Sequence, residues 1–419
     1  MTGRDLPRLV TRVPGPLSRR FARKLRAVEC HNTTYVDRRW PILWAKALGS
    51  NVQDVDGNTF LDMTAAFAVM GVGHGNRRVV NALRTQSACL LHGMGDVHPH
   101  ARKVRLAERL VALTFGRWRA GSRRSSGKVI FTNSGFEAVE AAIKTAVIHT
   151  GRPGVIAFKG AYHGLGYGAL DATSRRDFRA PFERQLGHFT VHLPFGRVPS
   201  RLPRRDIGAV LVEPILGRGG IVVPPDEFLP GLRRFCDQHD LVLIADEIFT
   251  GFGRTGKWFA CEHWRVVPDL ICVGKGMTGG FPISACVGRS EVMDSWPEST
   301  GEAIHTSTFL GNPLGCAMAL AAIQEIQTRG MVAASARLGA FLLDRLREPR
   351  FSVRGKGLMI GVEFPTAAEC ARVLRSLLQR GVIVLGGGDR HNVLTLTPPF
   401  VITERQLEFF VHQLRAVSA

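Results

Sequence analysis

The sequence predicts an α/β fold built on a mostly parallel central sheet, with a separate lobe at the C-terminal end. Two observations predict it. Continuous Val/Ile/Leu runs alternate with helical patterns between residues 128 and 288, as expected when helices cover both faces of a parallel sheet. After Pro313 the pattern becomes rich in helix and contains only short strand-like runs.

The predicted elements follow one another in a regular order along the chain. In the sheet region they are a strand at 128–133, a helix at 137–149, strands at 154–160 and 207–215, an amphipathic helix at 229–240, a strand at 241–248, and strands at LICVG and ISACVG. In the C-terminal lobe they are strands at 358–364 and 392–397. This order places several strand ends at one edge of the sheet.

The composition is typical of a soluble globular protein. Of the 419 residues, 45% are hydrophobic and 21% are charged. No apolar run approaches the roughly 20 residues that cross a bilayer, so we expect no membrane partner. The basic N-terminus lacks an apolar core, which favours an amphipathic surface helix over a secretory signal, although its Arg-rich composition is also typical of transit peptides. We therefore expect a cytoplasmic protein.

The formal charge of +20 is large, but the arginines are scattered along the whole chain. The sequence contains no zinc-finger spacing, no RRM signature and no basic tail, so we expect no nucleic-acid partner. A net positive field instead favours anionic substrates or a phosphorylated cofactor.

The eight cysteines predict neither disulfides nor a metal centre. None lies in a CxxC pair and several lie inside apolar runs, so we expect reduced, buried thiols. Pairs such as Cys236/His239 and Cys261/His263, and the cluster His92, His98 and His100, lack a second half at ligand spacing. We expect no metal.

Polar residues collect where the predicted strands end. Ser134, Gly135 and Phe136 join a strand end to a helix start, where free backbone N–H groups and the helix dipole favour a phosphate. In a neighbouring turn, Tyr162 offers a flat aromatic face beside His163.

Two charged residues complete the set. Asp246 ends a buried strand and needs a cationic partner there. Lys275 ends the next strand, between Gly274 and Gly276, where a lysine that loses its proton attacks a carbonyl carbon. Singly, each residue also fits a helix cap, core packing or a solvated loop. Together, a phosphate cradle, an aromatic platform, a buried acid and a Schiff-base lysine predict pyridoxal 5′-phosphate (PLP).

These motifs resemble the class III aminotransferases of PLP fold type I, the group of the 4-aminobutyrate, acetylornithine and ornithine aminotransferases. The resemblance spans nearly the whole chain and is most specific from 244 to 276. It is carried by DVDGNTFLDMTAAFAVMGVGH, NSGFEAVEAAIK, YHG, VEPILGRGG, ADEIFTGFGRTGKWFACEH, PDLICVGKG, HTSTFLGNPL and LTPPF. It implies a large PLP-binding domain at 76–315 and a smaller α+β domain made from 1–75 and 316–419.

The resemblance also implies a role for each matching residue. Lys275 would hold PLP as a Schiff base and shuttle the proton, and Asp246 would pair with the pyridine nitrogen. Ile248 and Tyr162 would cover the two ring faces. At the phosphate, contacts would come from Ser134, Gly135 and Phe136, and His163 and Glu213 would lie near the ring. Thr308 would reach the phosphate of a neighbouring subunit, which implies a homodimer with shared sites.

The sequence departs from the family where the substrate would bind. The family pairs a Glu in EGG with an Arg before PP, and this Arg binds an α-carboxylate. This chain has Arg218 and Thr395 at those positions. Either Arg218 contacts the carboxylate from the other side or the substrate lacks it. Arg390 is a second candidate, for which a solvated surface position is the simpler interpretation.

Two further departures concern the cofactor. Phe249 stands where the family often has a Gln that bonds the phenolic oxygen of PLP, and Phe136 replaces a small residue in the phosphate turn. The backbone N–H of Phe136 remains available, and its ring could enter a dimer interface.

The predicted function is transamination from an ω-amino acid or amine donor to a 2-oxo acid through Lys275. An aminomutase or decarboxylase of the same fold remains an alternative, because it needs the same cofactor residues. A catalytically silent binding protein is a more distant one. The segment GFGRTG at 251–256 matches a dinucleotide fingerprint, but an acidic pair separates it from the strand, so a nicotinamide enzyme is only a remote option.

Overall fold

The computed structural model describes residues 1–35, 40–118, 126–349 and 351–418. Its strands form one large sheet and two smaller sheets. The strands are β1 (Trp44–Leu48), β2 (Asn51–Asp54), β3 (Thr59–Asp62), β4 (Gly127–Thr132), β5 (Gly154–Phe158), β6 (Thr190–Leu193), β7 (Ile207–Val212), β8 (Val242–Asp246), β9 (Leu270–Val273), β10 (Ser284–Arg289), β11 (Ser352–Lys356), β12 (Met359–Glu363), β13 (Val382–Ile383), β14 (Leu385–Gly387) and β15 (Val393–Leu396).

Helices cover the sheets and fill the C-terminal lobe. They are α1 (Pro16–Val28), α2 (Ala65–Ala68), α3 (Arg77–Ser87), α4 (Ala101–Leu113), α5 (Phe115–Trp118), α6 (Gly135–Thr150), α7 (Tyr167–Ala172), α8 (Arg176–Arg179), α9 (Phe228–His239), α10 (Ser290–Met293), α11 (Pro313–Thr328), α12 (Met331–Arg345), α13 (Ala367–Gln379) and α14 (Glu404–Ser418). The strands and helices predicted from the sequence are present, with ends that differ by a few residues.

The large sheet has seven strands in the order β4-β10-β9-β8-β7-β5-β6. The neighbours from β9 to β6 pair in parallel, and only β10 runs against its neighbours β4 and β9. Every residue of β5, β7, β8 and β9 is buried, as continuous apolar strands between two helix layers require. The predicted α/β fold with a mostly parallel sheet is confirmed.

The two smaller sheets join distant parts of the chain. One has the order β1-β2-β3-β13, so a C-terminal strand pairs in parallel with an N-terminal one. The other contains β11, β12, β15 and β14. The pairing of β13 with β3 agrees with an α+β domain built from both ends of the chain, while the predicted domain boundaries stay a prediction.

The N-terminal helix and most of the cysteines agree with the expectations from composition. Helix α1 is the expected N-terminal surface helix, with Ser18 and Ala22 as its buried residues. No helix in the described ranges is long and apolar enough to cross a membrane. All eight cysteines are free thiols. Six of them are buried, but Cys30 and Cys89 are exposed, because each follows the end of a surface helix and lies outside the apolar runs.

Candidate active site

The carboxyl ends of β4, β5, β7, β8 and β9 lie at one edge of the large sheet, and the turns that follow them carry the predicted site residues. Asp246 is the last residue of β8, and Glu213 directly follows β7. Lys275 comes two residues after β9. Open α/β sheets bind their ligands at this edge, so the fold itself brings the predicted residues together.

The turn at Lys275 is shaped by glycine. A Cβ atom at Gly274 would lie 2.5 Å from the Ser284 Oγ and 3.1 Å from the Ile248 Cδ1, so a side chain there would collide. Lys275 has φ of 24° and opens a short 3-10 helix. Its Nζ lies 4.8 Å from the centre of the Phe249 ring. The glycine therefore lets the strand end close to its neighbours and present the amine.

Burial sets the charge state of this amine. Loss of hydration lowers the pKa of Lys275 below its usual value, and the nearby Arg218 lowers this pKa further. The carboxylates of Asp246 and Glu213 oppose both effects. A lysine with a lowered pKa has more neutral amine at physiological pH, and the neutral amine is the form that attacks a carbonyl carbon.

Asp246 is buried and held by two neighbours. Its Oδ2 lies 2.8 Å from the His163 Nδ1, and its Oδ1 accepts a hydrogen bond from the Ile248 backbone N–H at 3.1 Å. The His163 Nε2 is buried and has no partner among the described residues. These two contacts fix the orientation of the Asp246 carboxylate, which lies near Lys275. In the described ranges, this carboxylate forms no ion pair with a lysine or an arginine.

Glu213 connects the turns after β5 and β7. Its Oε1 accepts from the Tyr162 backbone N–H and its Oε2 from the Gly217 backbone N–H, both at 2.8 Å. Burial raises the pKa of Glu213 to about 7, and the Asp246 carboxylate adds to this effect. Glu213 therefore fixes both the turn that carries Tyr162 and the loop that carries Arg218, and its carboxyl group lies near the Asp246 charge.

The predicted phosphate turn precedes α6. The Glu137 carboxylate accepts hydrogen bonds from the Asn133 and Ser134 backbone N–H groups at 2.7 and 2.9 Å. The Ser134 Oγ is buried and has no partner among the described residues. A Cβ at Gly135 would approach the Ile248 Cγ2 to 3.0 Å, so glycine is needed for the close contact between the turn and the β8 end.

The Phe136 ring packs within its own chain. A Cβ at Gly166 would lie 2.5 Å from its Cδ2, and a Cβ at Gly164 would lie 2.3 Å from its Cβ, so these glycines leave the space that the phenylalanine fills. The side chain remains 38% exposed. A role for the rest of the ring in a subunit interface stays a prediction.

Arg218 lies over aromatic rings. Its Cζ is 4.7 Å from the centre of the Tyr162 ring and 5.4 Å from that of Phe178. No carboxylate in the described ranges pairs with it. At the other family position, the Thr395 hydroxyl donates to the Leu385 backbone oxygen at 3.2 Å and is thereby used within its own sheet. Of the two positions at which the family pairs a Glu with an Arg, only position 218 carries a charged residue in this chain.

Arg390 lies apart from this group, whereas Thr308 lies near its phosphate turn. Arg390 is 75% exposed and pairs with Glu363 at 2.7 Å, which favours the surface interpretation. Thr308 is exposed in a turn beside Ser307, whose Oγ accepts from the Asn133 side chain at 2.9 Å. Thr308 therefore lies near the phosphate turn of its own chain, and its role toward a second subunit stays a prediction.

Sequence reasoning missed Phe178, which contacts Arg218 and also packs edge-on against Tyr162 at 5.5 Å between ring centres. Phe178 lies in the charged segment SRRDFRAPF, far from any strand end. The one useful feature would have been an isolated aromatic residue inside an arginine-rich stretch, next to a predicted aromatic platform.

The residues present fit PLP. An unpartnered buried hydroxyl at Ser134 and free N–H groups at the start of α6 suit a phosphate. The oriented Asp246 carboxylate suits a protonated pyridine nitrogen, and Lys275 suits the aldehyde. Fold and site together define a PLP-dependent enzyme with a type I fold.

Comparison with known proteins identifies the family. The class-III aminotransferase model matches residues 34–417. The 4-aminobutyrate aminotransferase of Mycobacterium bovis is 36% identical, and the match covers 96% of this chain and 95% of the relative. The acetylornithine aminotransferase of Methanosarcina mazei is 37% identical over 90% of this chain and 91% of its own.

A solved structure agrees with these sequence matches. The ornithine aminotransferase of Toxoplasma gondii, with PLP at partial occupancy in its active site, superimposes with a TM-score of 0.84 and 28% identity, covering 95% of this chain and 93% of that one. The chain belongs to the class-III aminotransferase family, whose members depend on PLP. The predicted family, fold, cofactor and aminotransferase activity are confirmed.

Proposed function

We propose that this aminotransferase takes nitrogen from an ω-amino acid or primary amine and delivers it to a 2-oxo acid, and that Arg218 binds a substrate carboxylate. The observation that carries the proposal is the position of Arg218. Its guanidinium group lies on the Tyr162 ring, influences the Lys275 charge, and has no carboxylate partner in the described ranges. An unpaired cation beside the reacting amine favours an anionic substrate group.

Each site residue then has a defined task. When bound, PLP supplies the carbonyl carbon that captures amines and a ring that accepts electrons. Lys275 would hold the cofactor through its side-chain amine, and the same amine, when free, would carry the proton. Asp246, oriented by His163, would keep a proton on the ring nitrogen. Ser134, Gly135 and Phe136 would hold the phosphate, while Ile248 and Tyr162 would cover the ring.

Product analysis tests this proposal against the other reactions of the fold. The holoenzyme is incubated with single amines and with a 2-oxo acid, and carbon dioxide and amino acid products are measured. Transamination predicts that one new amino acid forms for each amine consumed, only when the oxo acid is present. Release of carbon dioxide, or a rearranged amine formed without an oxo acid, would instead identify a decarboxylase or an aminomutase.

The Arg218→Gln variant should bind carboxylated donors poorly. A charge-assisted hydrogen bond contributes about 1.5–3 kcal/mol, so KM for 4-aminobutyrate should rise roughly 10- to 100-fold, while KM for butylamine changes little. Steady-state kinetics with both donors measures the difference. Arg390→Gln is the matched control, because Arg390 pairs with Glu363 at the surface. Equal losses for both donors would contradict carboxylate binding by Arg218.

We further propose a homodimer with shared sites. An apolar patch formed by Leu91, Met94, Val97, Ile304 and Phe309 is exposed. Its two segments touch, because Phe309 lies 5.2 Å from the His92 ring and the Thr306 hydroxyl lies 3.0 Å from Asp96. Ser307 links the patch to the phosphate turn. A second copy covering such a patch would lie beside that turn.

Analytical ultracentrifugation tests the dimer. We expect twice the chain mass of 45.9 kDa at micromolar concentration. Phe309→Glu should shift the protein toward the monomer, because it buries a charge in the contact. Val28→Glu is the control, since Val28 is exposed at the end of α1. A Phe309→Glu protein that keeps the dimer mass would place the interface elsewhere.

Two further assignments, the cellular compartment and the domain boundaries, complete the proposal. The eight free thiols support a reducing compartment such as the cytoplasm. The pairing of β13 with β3 supports a small domain from 1–75 and 316–419 around the PLP-binding domain at 76–315.

A further inference from the structure

Helix α1 exposes three large apolar side chains along one face. The helix packs on the protein through its buried residues, Ser18 and Ala22. Beside this buried face, Leu17, Phe21 and Val28 remain 42%, 47% and 85% exposed. Residues spaced by four and by seven positions lie on the same face of a helix, so these three side chains form one line along α1. We call this line the α1 stripe.

Positive charge borders the α1 stripe. The helix sequence PLSRRFARKLRAV contains five lysines and arginines and no acidic residue. Arg20, Arg23 and Lys24 are exposed, and no carboxylate in the described ranges pairs with them. Lys24 lies about one turn from Phe21 and one turn from Val28, so its charge is adjacent to the stripe. The exposed side of α1 therefore combines positive charge with apolar surface.

The rest of the chain holds α1 in a fixed orientation. The Asp56 carboxylate accepts hydrogen bonds from the Leu17 and Ser18 backbone N–H groups at 2.7 and 2.9 Å, which satisfies donors at the start of the helix. The Ser18 hydroxyl accepts from the Leu43 N–H at 3.4 Å. The helix is therefore formed before a partner arrives. It also precedes residues 34–417, which the family model matches, so the reaction shared by the family does not account for this surface.

We propose that α1 binds the surface of a membrane that contains anionic lipids. The α1 stripe would enter the boundary between headgroups and acyl chains, and the bordering cations would contact the lipid headgroups. The expected absence of a membrane partner rested on the lack of a run long enough to cross a bilayer, and a helix that lies on the surface needs no such run. This role is independent of the proposed reaction.

The combination of charge and apolar surface favours a lipid surface over other partners. A nucleic acid would satisfy the cations through its phosphates, but it would leave the α1 stripe in water. A second copy of α1 would cover the stripe, but it would bring two basic faces together, and like charges repel. An anionic lipid surface satisfies the cations and covers the apolar side chains at the same time.

Co-sedimentation of the holoenzyme with lipid vesicles tests the proposal. Vesicles made of equal parts of phosphatidylserine and phosphatidylcholine should sediment the protein at low salt, whereas vesicles of phosphatidylcholine alone should not. Raising the salt should release most of the protein, because ions screen the attraction to the lipid charges. Lys24→Glu and Val28→Glu should each weaken binding at least about 10-fold, because each places a negative charge against the anionic surface.

Two control variants should bind the vesicles as the wild-type protein does. Val28→Leu keeps an apolar side chain in the α1 stripe. Arg405→Glu reverses an exposed charge on α14, a helix that has no exposed large apolar side chain, and so controls for the loss of net positive charge. Unchanged melting temperatures and transamination rates establish that all four variants fold, since none of the changed residues belongs to the active site.

Three results would overturn the proposal. The first is a wild-type protein that does not sediment with the phosphatidylserine vesicles, or a Val28→Glu protein that binds them as tightly as the wild type. The second is binding that Lys24→Glu alone weakens and that duplex DNA displaces, which would assign α1 to a nucleic acid. The third is a Val28→Glu protein with the monomer mass in the ultracentrifuge, which would assign the α1 stripe to a second copy of the chain.

Discussion

Replacing Lys275 with alanine should abolish covalent attachment of the cofactor and reduce turnover by at least about 10⁴-fold, because the residue supplies both the nucleophile and the proton carrier. Borohydride reduction followed by digestion and mass spectrometry measures the attachment. In the wild-type protein we expect the phosphopyridoxyl mass on the peptide that contains Lys275. Burial lowers the pKa of Lys275, and the residue lies two positions after β9, at the edge of the sheet where Asp246 also lies.

The control is Lys257→Ala, because Lys257 is exposed in a nearby loop. This variant should keep both the modified peptide and the activity. A Lys275→Ala protein that retains a reducible covalent cofactor and turns over would show that another amine does the chemistry, and the site would have to be reassigned.

Replacing Asp246 with asparagine should give the second largest effect. The side chain keeps its size and can still contact His163, but it loses the charge that holds a proton on the ring nitrogen. Removing one partner of a buried charge pair costs about 3–5 kcal/mol, which corresponds to roughly 10²- to 10⁴-fold in rate. Single-turnover kinetics measures this loss, and dialysis measures cofactor retention, which should also weaken.

The Asp237→Asn variant tests whether the loss of rate and of cofactor retention is specific to position 246. Asp237 is an aspartate on α9, where it is 62% exposed and pairs with Arg233 of the same helix. It should leave rate and cofactor retention unchanged. An Asp246→Asn protein with wild-type rates would mean that the ring nitrogen needs no charged partner here.

The sequence was sufficient for the strands of the large sheet and for the residues at their ends. Runs such as the one in β8 are apolar throughout because both faces of the strand are covered, and this makes them visible without any long-range information. The positions of Asp246 and Lys275 at strand ends were visible in the sequence, because a charged residue at or just after the end of a buried run needs a partner.

The remaining features depend on contacts between distant segments. Strand β13 has only two residues, and its partner β3 lies at the other end of the chain, so no local pattern reveals the pair. The stacking of Arg218 on Phe178 joins the loop after β7 to the short helix α8, and no local pattern in the sequence connects these two segments. Cys30 and Cys89 are exposed because each follows the end of a surface helix, and the packing of these helices depends on distant segments.

The most direct test of the central claim is a visible-spectrum titration of the purified holoenzyme with single amines. The panel contains 4-aminobutyrate, ornithine, acetylornithine, β-alanine, glutamate, alanine and simple diamines. We predict that at least one donor converts the yellow band to the pyridoxamine form, and that adding a 2-oxo acid restores the yellow band. A yellow band that no donor converts, in a protein that releases carbon dioxide or rearranges an amine, would contradict transamination as the function of this chain.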